Sequence, residues 1–199
     1  MLKTTEMSGS RGHVRKMVMI AMLSGISIFL GVSGLGFITL PIFRLTIMHV
    51  PVIIGAILEG PIVGATVGLM FGLFSMYQNF TAPTLTSFVF YNPIVALVPR
   101  VLIGIVAYYI YKLLKNIIKN KSVTIGISAV LATLTNTVGV LGLTYLLYLE
   151  QYAAARDIST TAVSGTLLAI GVSNGIPEAI VSALITIPVV LGILKIKKQ

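Results

Sequence analysis

The sequence has 199 residues, of which 56% are hydrophobic and only 10% charged. A soluble domain carries about 25% charged residues, so this composition excludes a water-soluble fold and describes one compact integral membrane domain. The chain has no cysteine, which excludes disulfides, thiolate chemistry and cysteine metal sites.

Residues 1–13 are polar and mixed in charge and read as a short cytoplasmic tail, with 14–199 forming a single membrane domain. Arg15 and Lys16 precede the first apolar run, Met17 to Val32. A signal peptide would have this form, but no Ala-x-Ala site follows and several apolar runs do, so the run is read as a first transmembrane helix. It carries Ala21 and Gly25, small residues four apart that let a neighbouring helix approach closely. Gly31 to Thr46 is rich in glycine, with one charge, Arg44. It is too apolar for a solvated linker and reads as a packed loop. Met48 to Leu58 is a second helix, too short to span a hydrocarbon core of about 30 Å unless it sits between other helices or borrows loop residues.

Glu59-Gly60-Pro61 is a tight turn, and Pro61 suits a first helical position. The third helix runs to about Gln78, with Gly60, Gly64, Gly68 and Gly72 recurring every four residues as a packing face. Residues 79–91 form a polar loop. The fourth helix covers Asn92 to Leu114, and Lys112, Lys115, Lys119 and Lys121 form a basic connector. The fifth helix covers Val123 to Leu149, with Asn136 near its middle. After a polar loop over 150–164, the sixth covers Leu167 to Leu194, interrupted at Ser173 to Glu178. The fold class is therefore an all-α membrane protein of six transmembrane helices in one bundle.

Six helices place both termini on one side. Eleven of the fourteen basic residues then share that side, which the positive-inside rule makes cytoplasmic. The charge of +9 is thus a topological signal with some attraction to anionic lipid in the bilayer, and no nucleic acid is required. Arg44, Arg100 and Arg156 fall toward the outside. Arg44 and Arg156 read as solvated loop charges. Arg100 lies deep in an apolar helix and cannot shed its charge. A cation in hydrocarbon costs at least ~2.5–3.5 kcal/mol, so it must face protein, water or a counter-ion. Asn136, Asn174 and Glu178 fall at similar depth, in the outer half to the middle of the bilayer, and a cavity open to the outside would satisfy all four. An internal ion pair is the structural alternative.

Other chemistry fits poorly. Gly171-Val172-Ser173-Asn174-Gly175 matches a nucleophile-elbow pattern but lies inside an apolar helix instead of a strand–turn–helix. Gly31-Val32-Ser33-Gly34 is similar to the serine motif of rhomboid proteases, yet only His49 follows it, and the spacing supports no base for Ser33. The ring of His49 is read as a packing hydrogen-bonder. There is no histidine–carboxylate cluster for a metal and no nucleotide-binding Walker motif. Glu178 can carry a proton, pair with Arg100 or accept a substrate hydroxyl. A proton-carrying role would suit an independent secondary transporter, although the internal repeats usual in that class are not evident.

Six short helices, a packed first loop, a small-residue face on the first helix and no nucleotide motif together resemble the S-components of energy-coupling factor (ECF) transporters. The runs Leu45 to Ala56, Val98 to Gly104, Thr135-Asn136-Thr137 and Asn174 to Ala179 look most like the pantothenate-specific branch. The resemblance implies a substrate-binding membrane subunit that is not an enzyme and needs no cofactor. Its ligand would be pantothenate or another acidic vitamin or metabolite. Its partners would be a transmembrane coupling subunit and two ABC ATPases, docked through Ala21 and Gly25, where glycine replaces the usual second alanine. Arg100 is expected to hold a carboxylate and Asn136 an amide or hydroxyl. Asn174, Glu178, Tyr91 and Thr46 are expected as secondary partners, and Arg44 as an added charge from the first loop.

Overall fold

The computed structural model describes residues 3–39 and 44–196, with side chains for 12–37 and 45–196. The elements in chain order are α1 (Lys3–Val32), β1 (Phe37–Thr39), β2 (Arg44–Thr46), α2 (Val50–Glu59), α3 (Pro61–Thr81), α4 (Pro93–Leu114), α5 (Lys121–Arg156), α6 (Thr160–Ile170) and α7 (Ile176–Ile196). A 3₁₀ turn, Ser87–Tyr91, leads into α4, and a π-turn, Gly171–Gly175, joins α6 to α7 without a break. Thr160–Ile196 is therefore one crossing, and among the described residues five helices are long and apolar enough to span a membrane. The shorter α2 is the sixth member of the bundle.

Four sequence expectations change. Helix α1 begins at Lys3 and takes in most of the stretch read as a tail, which contains no proline to stop it. The first loop is not wholly irregular: β1 and β2 pair antiparallel, with Ile38 opposite Leu45. Helix α5 continues past Leu149 to Arg156, leaving only three residues before α6 in place of a long loop. The sixth helix is widened, not interrupted, near Pro177. A π-turn is one of the few ways an apolar helix changes direction without leaving backbone groups free in lipid.

Helix α2 is apolar on every side, which is the pattern of a buried helix. All residues from Val50 to Ile57 are buried. Val52 and Ile53 are fully enclosed and pack with Val63, Val67, Ile103, Ile125 and Val190. Burial, not length, is what lets ten residues stand among membrane helices.

Glycine sets how closely α3 and α4 approach. A Cβ on Gly64 would meet Gly104, one on Gly68 would overlap the Arg100 carbonyl, and one on Gly72 would meet the Ala96 carbonyl. Residue numbers rise on α3 as they fall on α4, so the pair is antiparallel. Gly126 faces Ile187 and Gly175 faces Thr137, which makes α5 and α7 antiparallel as well. Gly60 belongs to the turn, where its φ of +104° suits a residue without Cβ. At this end of the bundle Arg15 and Glu59 form an ion pair at 2.7 Å. The same end carries the basic 112–121 connector and Lys195, so the described basic charge is concentrated at one pole.

Candidate functional site

The opposite half of the bundle contains a cavity of about 270 Å³. Arg100, Asn136, Asn174, Glu178 and Thr46 all line it. Its roof is built by Thr86, Val89 and Phe90 from the α3–α4 connection and by Tyr152 and Arg156 from the end of α5.

Arg100 is 6% exposed and makes no ion pair among the described residues. Its Nη1 donates to the Val95 carbonyl at 3.0 Å. The reason lies one residue earlier. Pro99 is inside α4 and has no N–H to give the carbonyl four residues before it, which is that of Val95. The neighbouring guanidinium takes the place of the missing donor. Phe90 and Phe71 flank the group, with ring centroids 5.1 and 5.7 Å from Cζ, which suits a delocalised cation. Arg100 Nε is buried with no partner.

Two acceptors complete the account. Asn136 Oδ1, on α5, and Asn174 Oδ1, in the π-turn, are buried and unpartnered. Gly175 lets the π-turn close on α5, since a Cβ there would lie 2.9 Å from Thr137 Cγ2. Glu178 is 8% exposed and accepts the Thr46 backbone N–H at 2.7 Å, tying α7 to the hairpin. Of the three roles open to Glu178, pairing with Arg100 is not seen, since the two do not meet within ion-pair distance; the side chain is held by the hairpin backbone at the cavity wall. Buried polar atoms left without partners cost roughly 1–3 kcal/mol each. One donor and two acceptors around a hollow describe a site complementary to a ligand with at least one acceptor and two donors.

One expected site residue, Tyr91, is placed differently, and another, Arg44, has its side chain outside the described residues. Tyr91 does not line the cavity; its ring stacks on Phe80 at 4.4 Å and remains 38% exposed. The Arg44 side chain lies outside the described residues, and only its backbone, in β2, is seen. Arg156, read as a solvated loop charge, is exposed but ends α5 and also borders the cavity, with its Cζ 5.7 Å from the Tyr152 ring. It arrives there because α5 bends at Tyr148, whose φ of −134° and ψ of 22° are not helical. Beyond the bend, Tyr152 and Ala153 pack on Val163 and Leu167 of α6. The apolar spacing Leu149, Tyr152, Ala153, with no glycine or proline after it, is the signal that marks this stretch as helix.

The serine patterns find no catalytic setting. Ser33 Oγ donates to the Leu30 carbonyl, while His49 is fully buried with Nε2 3.0 Å from Thr133 Oγ1. The Gly171–Gly175 pattern is the π-turn itself.

This polar hollow lies in the half of the helical bundle away from the basic pole, and its donors and acceptors suit a small molecule. Residues 15–190 match the family described as the ECF transporter substrate-specific component, and the chain belongs to that family. It is a multi-pass cell-membrane protein and a transport subunit. Over 168 residues it is 32% identical to the pantothenic acid transporter PanT of Lactococcus lactis subsp. cremoris, covering 77% of this chain and 80% of that protein. Over 140 residues it is 34% identical to the pantothenate transporter PanT of Leuconostoc mesenteroides subsp. mesenteroides, covering 68% of each.

Proposed function

We propose that this chain binds pantothenate from outside the cell and delivers it inward as the substrate-specific subunit of an ATP-driven ECF importer. The observation that carries this reading is the set of unpartnered atoms around the cavity, Arg100 Nε, Asn136 Oδ1 and Asn174 Oδ1. Pantothenate brings a carboxylate, an amide and two hydroxyls. The carboxylate meets Arg100 through charge-assisted bonds. The amide N–H and the hydroxyls are the donors that the two asparagine oxygens lack. The transporters named for this vitamin, related over most of the chain, support the same ligand.

The pole that carries the basic connector and Lys195 is cytoplasmic, in keeping with the positive-inside rule, and the cavity then opens outward. Ala21 and Gly25 form the docking face for a coupling subunit that works with two ABC ATPases. Both are exposed, and a Cβ on Gly25 would meet nothing within 4 Å.

A thermal-shift panel of vitamins on the purified subunit tests the ligand. Pantothenate is expected to stabilise it; stabilisation by a different acidic vitamin and not by pantothenate would overturn the assignment. Ala21→Trp and Gly25→Trp test the docking face. Each should keep pantothenate binding while losing co-purification with the coupling subunit and ATPases, and retained assembly would refute that face. The subunit alone in liposomes should not accumulate pantothenate under a proton or sodium gradient.

A further inference from the structure

A second cavity of about 300 Å³ lies on the far side of Arg100. It is as large as the first and is walled by Ser75, Gln78, Asn79 and Thr84, with Phe71 among its apolar members. Thr46, Phe90 and Arg100 line both hollows. The guanidinium therefore stands at a junction and not at the end of a closed site. Phe90, stacked over it, is half-buried in a 3₁₀ turn and stands in the wall common to both chambers.

Among the described residues, Arg100 is the one charged side chain that lines the second chamber. The amide of Asn79 is already engaged, donating to the Ser75 carbonyl and accepting from Ser87 Oγ. Its chemistry is that of a neutral polar and aromatic pocket. Such a pocket suits an aliphatic or amide extension.

We propose that this chamber is a second subsite that admits pantothenate-like molecules extended at the carboxyl carbon, with the terminal carbonyl on Arg100 and the extension passing Phe90 toward α3. This rests on the pantothenate reading of the first cavity. An amide carbonyl still accepts from a guanidinium, although the bond is weaker than that of a carboxylate. Loss of the charge is offset by apolar contact with Phe71 and Phe90. The subunit would then discriminate poorly at that end of its ligand and strictly at the other, where Asn136 and Asn174 await donors.

The test compares three ligands on the purified subunit by calorimetry: pantothenate, its alcohol pantothenol, and the N-pentyl amide of pantothenic acid. Pantothenol removes the charge without adding length. The amide should bind at least as tightly as pantothenol. Filling the chamber with Ala82→Leu or, separately, Ser75→Leu should weaken the amide at least tenfold while changing pantothenate and pantothenol less than threefold. Ala82 also lines the chamber and is an exposed residue that caps α3, so its variant is the safer for folding. No binding of the amide, or equal effects of filling on all three ligands, would overturn the subsite while leaving the first cavity intact. Failure of pantothenate itself to bind the wild type would overturn the parent reading, and this one with it.

Discussion

The two flanks of α4 solve opposite problems. Along Gly64, Gly68 and Gly72 of α3 it meets glycine after glycine, and backbone packs on backbone with no room for a methyl group. Toward α5 and α7 it faces asparagine, threonine and glutamate around an open hollow. In lipid neither flank gains from excluding water, because the surrounding tails are as apolar as the protein. Close packing holds the first flank. On the second, polar atoms are kept apart from one another, and their pairing is left to something else. Arg100 belongs to both, its backbone carbonyl against Gly68 and its side chain in the cavity. The glycine seam is the fixed base from which the Arg100 side chain is aimed into the cavity.

The comparison breaks most severely at Arg100 itself. Arg100→Ala should abolish uptake and weaken pantothenate binding by at least 100-fold, since removing one partner of a buried charged pair costs ~2–5 kcal/mol. Expression in the membrane should be unchanged, because the side chain holds no carboxylate that folding needs; calorimetry and a fluorescence size-exclusion profile measure the two. Gly68→Leu attacks the opposite flank. It should lower the melting temperature sharply with or without ligand, because overpacking against rigid backbone costs ~1–3 kcal/mol or more.

Asn136→Ala sharpens the distinction. It should weaken binding about tenfold, in line with ~1–3 kcal/mol for a buried hydrogen-bonding group, while leaving the melting temperature of the empty subunit unchanged or slightly raised. A clear drop in that temperature would mean the asparagine serves the fold. Arg156→Gln should have the smallest effect, about threefold on binding, because an exposed guanidinium in high dielectric contributes ~0–1 kcal/mol. That loss should shrink with added salt.

Most of the bundle is legible in the chain because each crossing is a long apolar run, and the glycine spacing on α3 announces the seam. The short α2 is legible too, since uniform apolarity at that length leaves burial as the solution. Arg100, Asn136, Asn174 and Glu178 stand out because polar groups are rare at that depth. The hairpin is harder to read, for three residues a side leave little periodicity. Arg156 and Tyr152 reach the cavity only through the bend at Tyr148, and no residue type there marks a helix that must turn. Tyr91 misleads for a related reason: it borders the polar loop, but its ring is claimed by Phe80 one helix earlier.

The proline before Arg100 has a consequence for affinity as well as for shape. By withholding an N–H from Val95 it gives the long guanidinium side chain a fixed tether, so its rotamers are restricted before any guest arrives. The cost of ordering a flexible arm, about 2 kcal/mol for arginine, then falls largely on making the protein and not on each capture event. A guest entering the cavity meets an arm already held in place.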